Sequence, residues 1–185
     1  HELLYEPGDP LPVFAAMVLA TNLHESSQID FADENTVPVK LADQSIRDDS
    51  CQFVASSSIV ICDPKRAIYP PAIAAMGISL SRVYLVHPKS PADELWAMTE
   101  SLRCKGIGAT IASPKRLDRT QARRLQLSAE QGGGIGIFLR ALDRNAEIYS
   151  AVTRWLVKPV RGKRTVQKWR ITLLHGHGGQ VGQSF

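Results

Sequence analysis

The densest chemical grouping in this 185-residue chain is basic: Lys115, Arg116, Arg119, Arg123 and Arg124 crowd one short segment. Arg116, Arg119 and Arg123 stand at i, i+3 and i+7, so a helix there presents them on one face, while Leu117, Leu125 and Leu127 supply part of the buried side. Such a face is a solvated surface, a protein-docking surface or a phosphate contact. It carries no interleaved aromatics of the kind that stack unpaired bases. A second candidate is Asp63, which ends the apolar run Ile59 to Cys62 and is followed by Pro64 and Lys65. A carboxylate at a strand end can cap the chain, or act as an acid or base if His87 and a third polar group converge on it.

The other candidates lack parts that their chemistry requires. A phosphate loop needs GxxxxGK[ST], because successive amides cradle the phosphates, Lys reaches the outer ones and the hydroxyl holds Mg²⁺. The segment EPGDPLPVF, Glu6 to Phe14, has Gly8 but neither Lys nor hydroxyl; its three prolines remove amide donors, and Glu6 and Asp9 repel phosphate. Gly132, Gly133, Gly134 and Gly136 follow a helix, where the dipole disfavours anions, and read as turn and C-cap residues. Ser56 to Ser58 precede a strand rather than a nucleophile elbow. His175 and His177 have no third ligand nearby, and Cys51, Cys62 and Cys104 have no metal-ligand spacing. Neither a cofactor nor a metal is expected.

These residues need a scaffold, and the pattern supplies one. Residues 12–24 suit a mostly buried helix, followed from Glu25 to Ser58 by a long acidic insertion with one strand-like piece at Thr36 to Leu41. Strands are expected at Ile59 to Cys62, Arg82 to Val86, Ala109 to Ala112 and Ile135 to Leu139. Helices at Tyr69 to Met76, from Pro91 through Leu102, and at Leu117 to Gln131 lie between them. Arg154 to Val160 and Trp169 to Leu174 close the chain as a basic hairpin, about residues 153–175. The order βαβαβαβ then ββ indicates an α/β three-layer sandwich with a mixed, mainly parallel sheet, in one domain over residues 1–185.

Charge divides the chain unevenly. Residues 1–50 carry −8 and residues 51–185 carry +12, and after Glu147 there is no carboxylate while Arg154, Lys158, Arg161, Lys163, Arg164, Lys168 and Arg170 follow. The basic part is the expected contact surface. No apolar run approaches 18 residues, which points to a soluble intracellular chain without a membrane partner. Beginning at His1 rather than Met, the sequence reads as a piece of a longer protein.

Several stretches together resemble the ImuA/SulA branch of the RecA-like superfamily of bacterial SOS-response proteins. They are HELL at the start, CDPKRAIYPPAIAAMGISLSRVYLVHP from Cys62, ELWAMTESLRCKGIGATIA from Glu94, RRLQLSAEQGGGIGIFLR from Arg123 and TRWLVKPV from Thr153. The acidic insertion departs from the family. The resemblance implies a RecA-like, P-loop-NTPase-type fold with a degenerate nucleotide site: the phosphate loop falls at Glu6 to Val13 around Gly8, and the strand carrying the catalytic Glu in active relatives ends in Asp63-Pro64-Lys65. Lys65 takes the glutamate's place, where a cation cannot accept a proton from water, and the Mg²⁺-associated Asp falls near Ser113.

The YPP run and closing hairpin favour the ImuA-like side. That side implies a non-catalytic cytoplasmic adaptor in translesion DNA synthesis, nucleoid-associated when active, whose partners are an ImuB-like Y-family polymerase homologue, a DnaE2-type polymerase or RecA. The docking residues expected are Arg116, Arg119, Arg123, Arg124, Arg161, Lys163 and Arg164. Self-association, weak DNA contact by the basic regions, and SulA-like inhibition of division through FtsZ are the alternatives.

Overall fold

The computed structural model of the chain describes residues 1–22, 58–142, 151–160, 168–176 and 181–182. In chain order these form β1 (Glu2–Tyr5), α1 (Val13–Asn22), β2 (Ser58–Cys62), α2 (Pro70–Ala75), a 3-10 turn (Leu80–Arg82), β3 (Val83–Val86), α3 (Pro91–Arg103), β4 (Ile107–Ala112), α4 (Arg119–Gly132), β5 (Ile135–Ala141), β6 (Thr153–Val160) and β7 (Lys168–Gly176). The strands make one sheet in the order β3-β2-β4-β5-β1-β6-β7. Every neighbouring pair is parallel except β6 with β7, which run antiparallel from Thr153 opposite Gly176 to Val160 opposite Lys168. The fold is therefore α/β with a mixed, mainly parallel sheet, as the alternation of elements predicts.

Side-chain alternation along the strands divides the apolar residues between two cores. Leu3, Ile59, Ile61, Ile111, Ile137 and Leu139 point to one face and pack with Ala16 and Met17 of α1 and Ile73 of α2. Val60, Cys62 and Ala112 point to the other and pack with Met98 and Leu102 of α3 and Leu125 of α4. Each fully buried side chain of this size contributes roughly 1.5–3 kcal/mol. Among the described helices, those whose crossovers step one way along the sheet (α1, α2) pass over the first face, and those that step back (α3, α4) pass over the second, as right-handed connections require.

Local signals set the helix ends. Ser90 accepts the Asp93 amide at 3.1 Å ahead of Pro91, so α3 starts there. Asp118 and Gln121 form a reciprocal capping box at 2.7 and 3.0 Å, which begins α4 at Arg119 rather than at Leu117. Gly133, in the left-handed region at φ 77°, ends α4. Gly132 lies against the backbone of Leu102 and Arg103, where any Cβ would collide with the Leu102 carbonyl oxygen.

The strands differ from the sequence reading in one element and at several ends. β1 was not foreseen as a strand, yet it lies between β5 and β6 near the middle of the sheet. Arg82 belongs to the 3-10 turn and β3 begins one residue later. The acidic insertion, with its strand-like piece at Thr36 to Leu41, lies outside the described residues except for Ser58, which opens β2.

Candidate functional site

In an open α/β sheet, ligands bind beyond the carboxyl ends of the strands, where neighbouring crossovers leave to opposite faces. Among the described crossovers, β2 leads to α2 on one face and its neighbour β4 leads to α4 on the other; β1, two strands from β4, leads to α1 on the same face as α2. The loop after β1 contains Gly8 at φ 100° and closes a turn through the Asp9 amide, which donates to the Glu6 carbonyl at 3.0 Å. The Val13 amide is spent on the Leu11 carbonyl at 2.8 Å, and Pro7, Pro10 and Pro12 have no amide to donate. Glu6 is tied across to β6 by an ion pair with Lys158 at 2.6 Å. The loop thus presents carboxylates and few free amides.

Asp63 is a structural clasp. Its Oδ1 accepts the Ala67 amide at 3.0 Å and its Oδ2 the Ile68 amide at 2.8 Å, closing the loop that returns from β2 to α2. His87 meets Asp63 through the backbone oxygen at 2.8 Å, so the imidazole and the carboxylate do not form an acid–base pair. Lys65 is exposed within that loop, next to Arg66, whose φ of 52° shows how tightly the chain turns. Ser113, half-buried beyond β4, donates its hydroxyl to the Leu139 carbonyl at 3.0 Å and ties β4 to β5.

The strongest electrostatic feature escaped the sequence reading. Glu2 on β1 is 2% exposed and lies between two arginines, with Arg140 Nη1 at 2.9 Å from Oε1 and Arg154 Nε at 2.9 Å from Oε2. Arg154 is its register partner on β6, and Arg140 stands diagonally on β5, two residues beyond the partner Phe138. Both Glu2 oxygens are satisfied, which is what makes a buried charge tolerable. All three residues fall in stretches that carry the family resemblance, HEL, FLR and TRW.

Glu94, in the first turn of α3, is buried with Oε1 lacking any hydrogen-bond partner among the described residues. Burial pushes its pKa above the ordinary range, and Lys115 draws it partly back. The Cys62 thiol is pushed up to about 12 by burial and by the neighbouring Glu94, so it is no nucleophile. Cys104 is exposed. Among the described residues no three His, Cys, Asp or Glu side chains come together to hold a metal ion, and no helix is long and apolar enough to cross a membrane.

The basic residues divide between a described and an undescribed part. Arg116, Arg119, Arg123 and Arg124 are all exposed, the last three on α4. Arg103, Arg119, Arg123 and Arg124 line a groove of about 570 Å³ between α3 and α4. Arg103 is held by Glu100 at 3.2 Å and Arg123 by Gln126 at 2.9 Å, while Arg119 and Arg124 have no carboxylate partner among the described residues. Arg161, Lys163, Arg164 and His177 lie outside the described residues.

No family model matches the chain. In structure it is similar to SulA from Pseudomonas aeruginosa, with a TM-score of 0.48 and 17% identity over 76% of this chain and 96% of that one. In sequence it is similar to Protein ImuA of Caulobacter vibrioides, in strain NA1000/CB15N and in strain ATCC 19089/CB 15 alike, at 26% identity over 193 aligned positions. The alignment takes in 95% of this chain and 75% of ImuA, so the ImuA-like resemblance carried by the separate stretches extends along nearly the whole sequence.

Proposed function

We propose that the chain is a non-enzymatic accessory protein of damage-induced translesion DNA synthesis, a RecA-like scaffold that works by docking other proteins. The observation that carries this reading is the ImuA-like similarity along 95% of the chain. ImuA-like proteins act with an ImuB-like Y-family polymerase homologue and a DnaE2-type polymerase, and these, or RecA, are the partners proposed. The loop after β1 supports the non-enzymatic half: prolines, spent amides, Glu6 and Asp9 stand where a nucleotide-binding relative offers amides, Lys and a hydroxyl. Lys65 and Ser113 occupy the positions proposed for the lost glutamate and the lost Mg²⁺-associated aspartate. The docking side proposed is α4 and the segment just before it, with Arg116 ahead of the helix and Arg119, Arg123 and Arg124 on it.

The test is genetic. Removing the chain from its own host should leave growth unchanged and sharply reduce mutations induced by DNA-damaging light, and supplying the chain again should restore them. Unchanged induced mutation in its absence contradicts the proposal.

A further inference from the structure

The groove between α3 and α4 combines charge with exposed apolar surface. Leu127 is 48% exposed among Arg119, Arg123 and Arg124, and Trp96 on α3 is 64% exposed. Arg103 lines the groove, and Trp96 lies seven residues before it, on the same side of α3. The two helices run in the same direction, and Gly132 packs on Leu102 and Arg103. Stepping back seven residues on each, about 10 Å at 1.5 Å per residue, brings Trp96 level with Leu125 and next to the height of Arg124. Trp96 and the arginines are of the residue types enriched at interface centres, where aromatic residues and arginine supply most of the binding energy.

We infer that this groove receives a protein segment that is acidic and carries apolar anchors, an inference that rests on the docking role proposed above. Its carboxylates pair with Arg119 and Arg124, and its apolar side chains cover Leu127 and Trp96. Charge complementarity sets the sign of the occupant, since four arginines line the groove and Glu100 neutralises only Arg103. The exposed Leu127 sets its class. A phosphodiester backbone matches the arginines but leaves Leu127 against phosphate and water.

The probe is a fluorescein-labelled amphipathic peptide of glutamate, with leucine at helical i, i+3, i+4 and i+7 spacing, titrated into the full chain and followed by anisotropy. Expected is saturable binding that weakens at least about tenfold in Arg119→Glu/Arg124→Glu and, separately, in Leu127→Ser, with the lysine version of the peptide bound only by the charge-reversed chain. These residues are exposed, so unchanged unfolding midpoints should accompany the loss. Equal affinity in the variants overturns the inference. So does tighter binding of an oligothymidylate that depends on the arginines and ignores Leu127→Ser, which makes the groove a nucleic-acid surface. Full induced mutation with Arg119→Glu/Arg124→Glu, where removing the chain abolishes it, sinks the groove and leaves the accessory role standing. If removing the chain changes nothing, the accessory role fails, and the peptide titration still decides the groove.

Discussion

Glu2 and Arg154 face each other in register on adjacent parallel strands, 2.9 Å apart, with Arg140 closing on the other oxygen of the same carboxylate. The triad clamps β5, β1 and β6 together. Breaking one partner of a buried pair costs about 3–5 kcal/mol, because the remaining charges stay buried without compensation. Glu2→Gln should therefore lower stability by that order in urea unfolding. Replacing all three with apolar residues of similar volume should cost much less. Equal losses in the single and triple variants would contradict a role as paired charges.

Glu94 gives the stability a pH dependence of its own. Burial disfavours its charged form, so the folded chain keeps this proton above the ordinary value of 4.5, where the unfolded chain releases it. Unfolding then releases a proton, and stability declines as pH rises from about 4.5 towards the raised folded value. Glu94→Gln keeps the shape and removes the charge. It should flatten that decline and stabilise the chain near neutral pH by on the order of 1 kcal/mol. Unfolding midpoints measured across the acid-to-neutral range decide it, and parallel curves for the two proteins contradict the assignment.

Two adjacent glycines should respond differently to alanine. Gly133 adopts a φ of 77° with open space around its Cβ position, so Gly133→Ala meets only left-handed strain of about 1–2 kcal/mol. Gly132 has no such strain, but its Cβ would strike the Leu102 carbonyl oxygen and press on Arg103, so α4 must shift away from α3. Gly132→Ala should be the more damaging change. A milder effect than that of Gly133→Ala would contradict the close approach of the two helices.

The cysteines make a check on burial. In a Cys51→Ser background, a thiol reagent should label Cys104 at once and Cys62 only as the chain unfolds, because Cys62 is buried and its thiol is held protonated. Prompt labelling of Cys62 under native conditions contradicts the packing of β2 against α3.

What the sequence made legible is what acts over short separations. Asp118 with Gln121, Ser90 with Pro91, and the glycines after α4 announce helix ends within four residues, and the apolar runs from Ile59 to Leu139 announce a covered parallel sheet. Asp63 could be read as a cap because its partners, Ala67 and Ile68, lie four and five residues on. β1 could not be read. It has only four residues, of which Glu2, Leu3 and Leu4 are buried in succession, hence no alternation, and its first residue is a glutamate whose partners lie 138 and 152 positions away. The exposure of the arginines on α4 followed from spacing alone, whereas the groove they line depends on how α3 and α4 pack, which no local pattern carries.

The central claim is that this scaffold works without hydrolysing a nucleotide. Calorimetric titration of the full chain with ATP and Mg²⁺, paired with a phosphate-release assay, tests it most directly. The account predicts no saturable heat and no phosphate above buffer. Micromolar binding with turnover, abolished by altering the loop after β1, contradicts it.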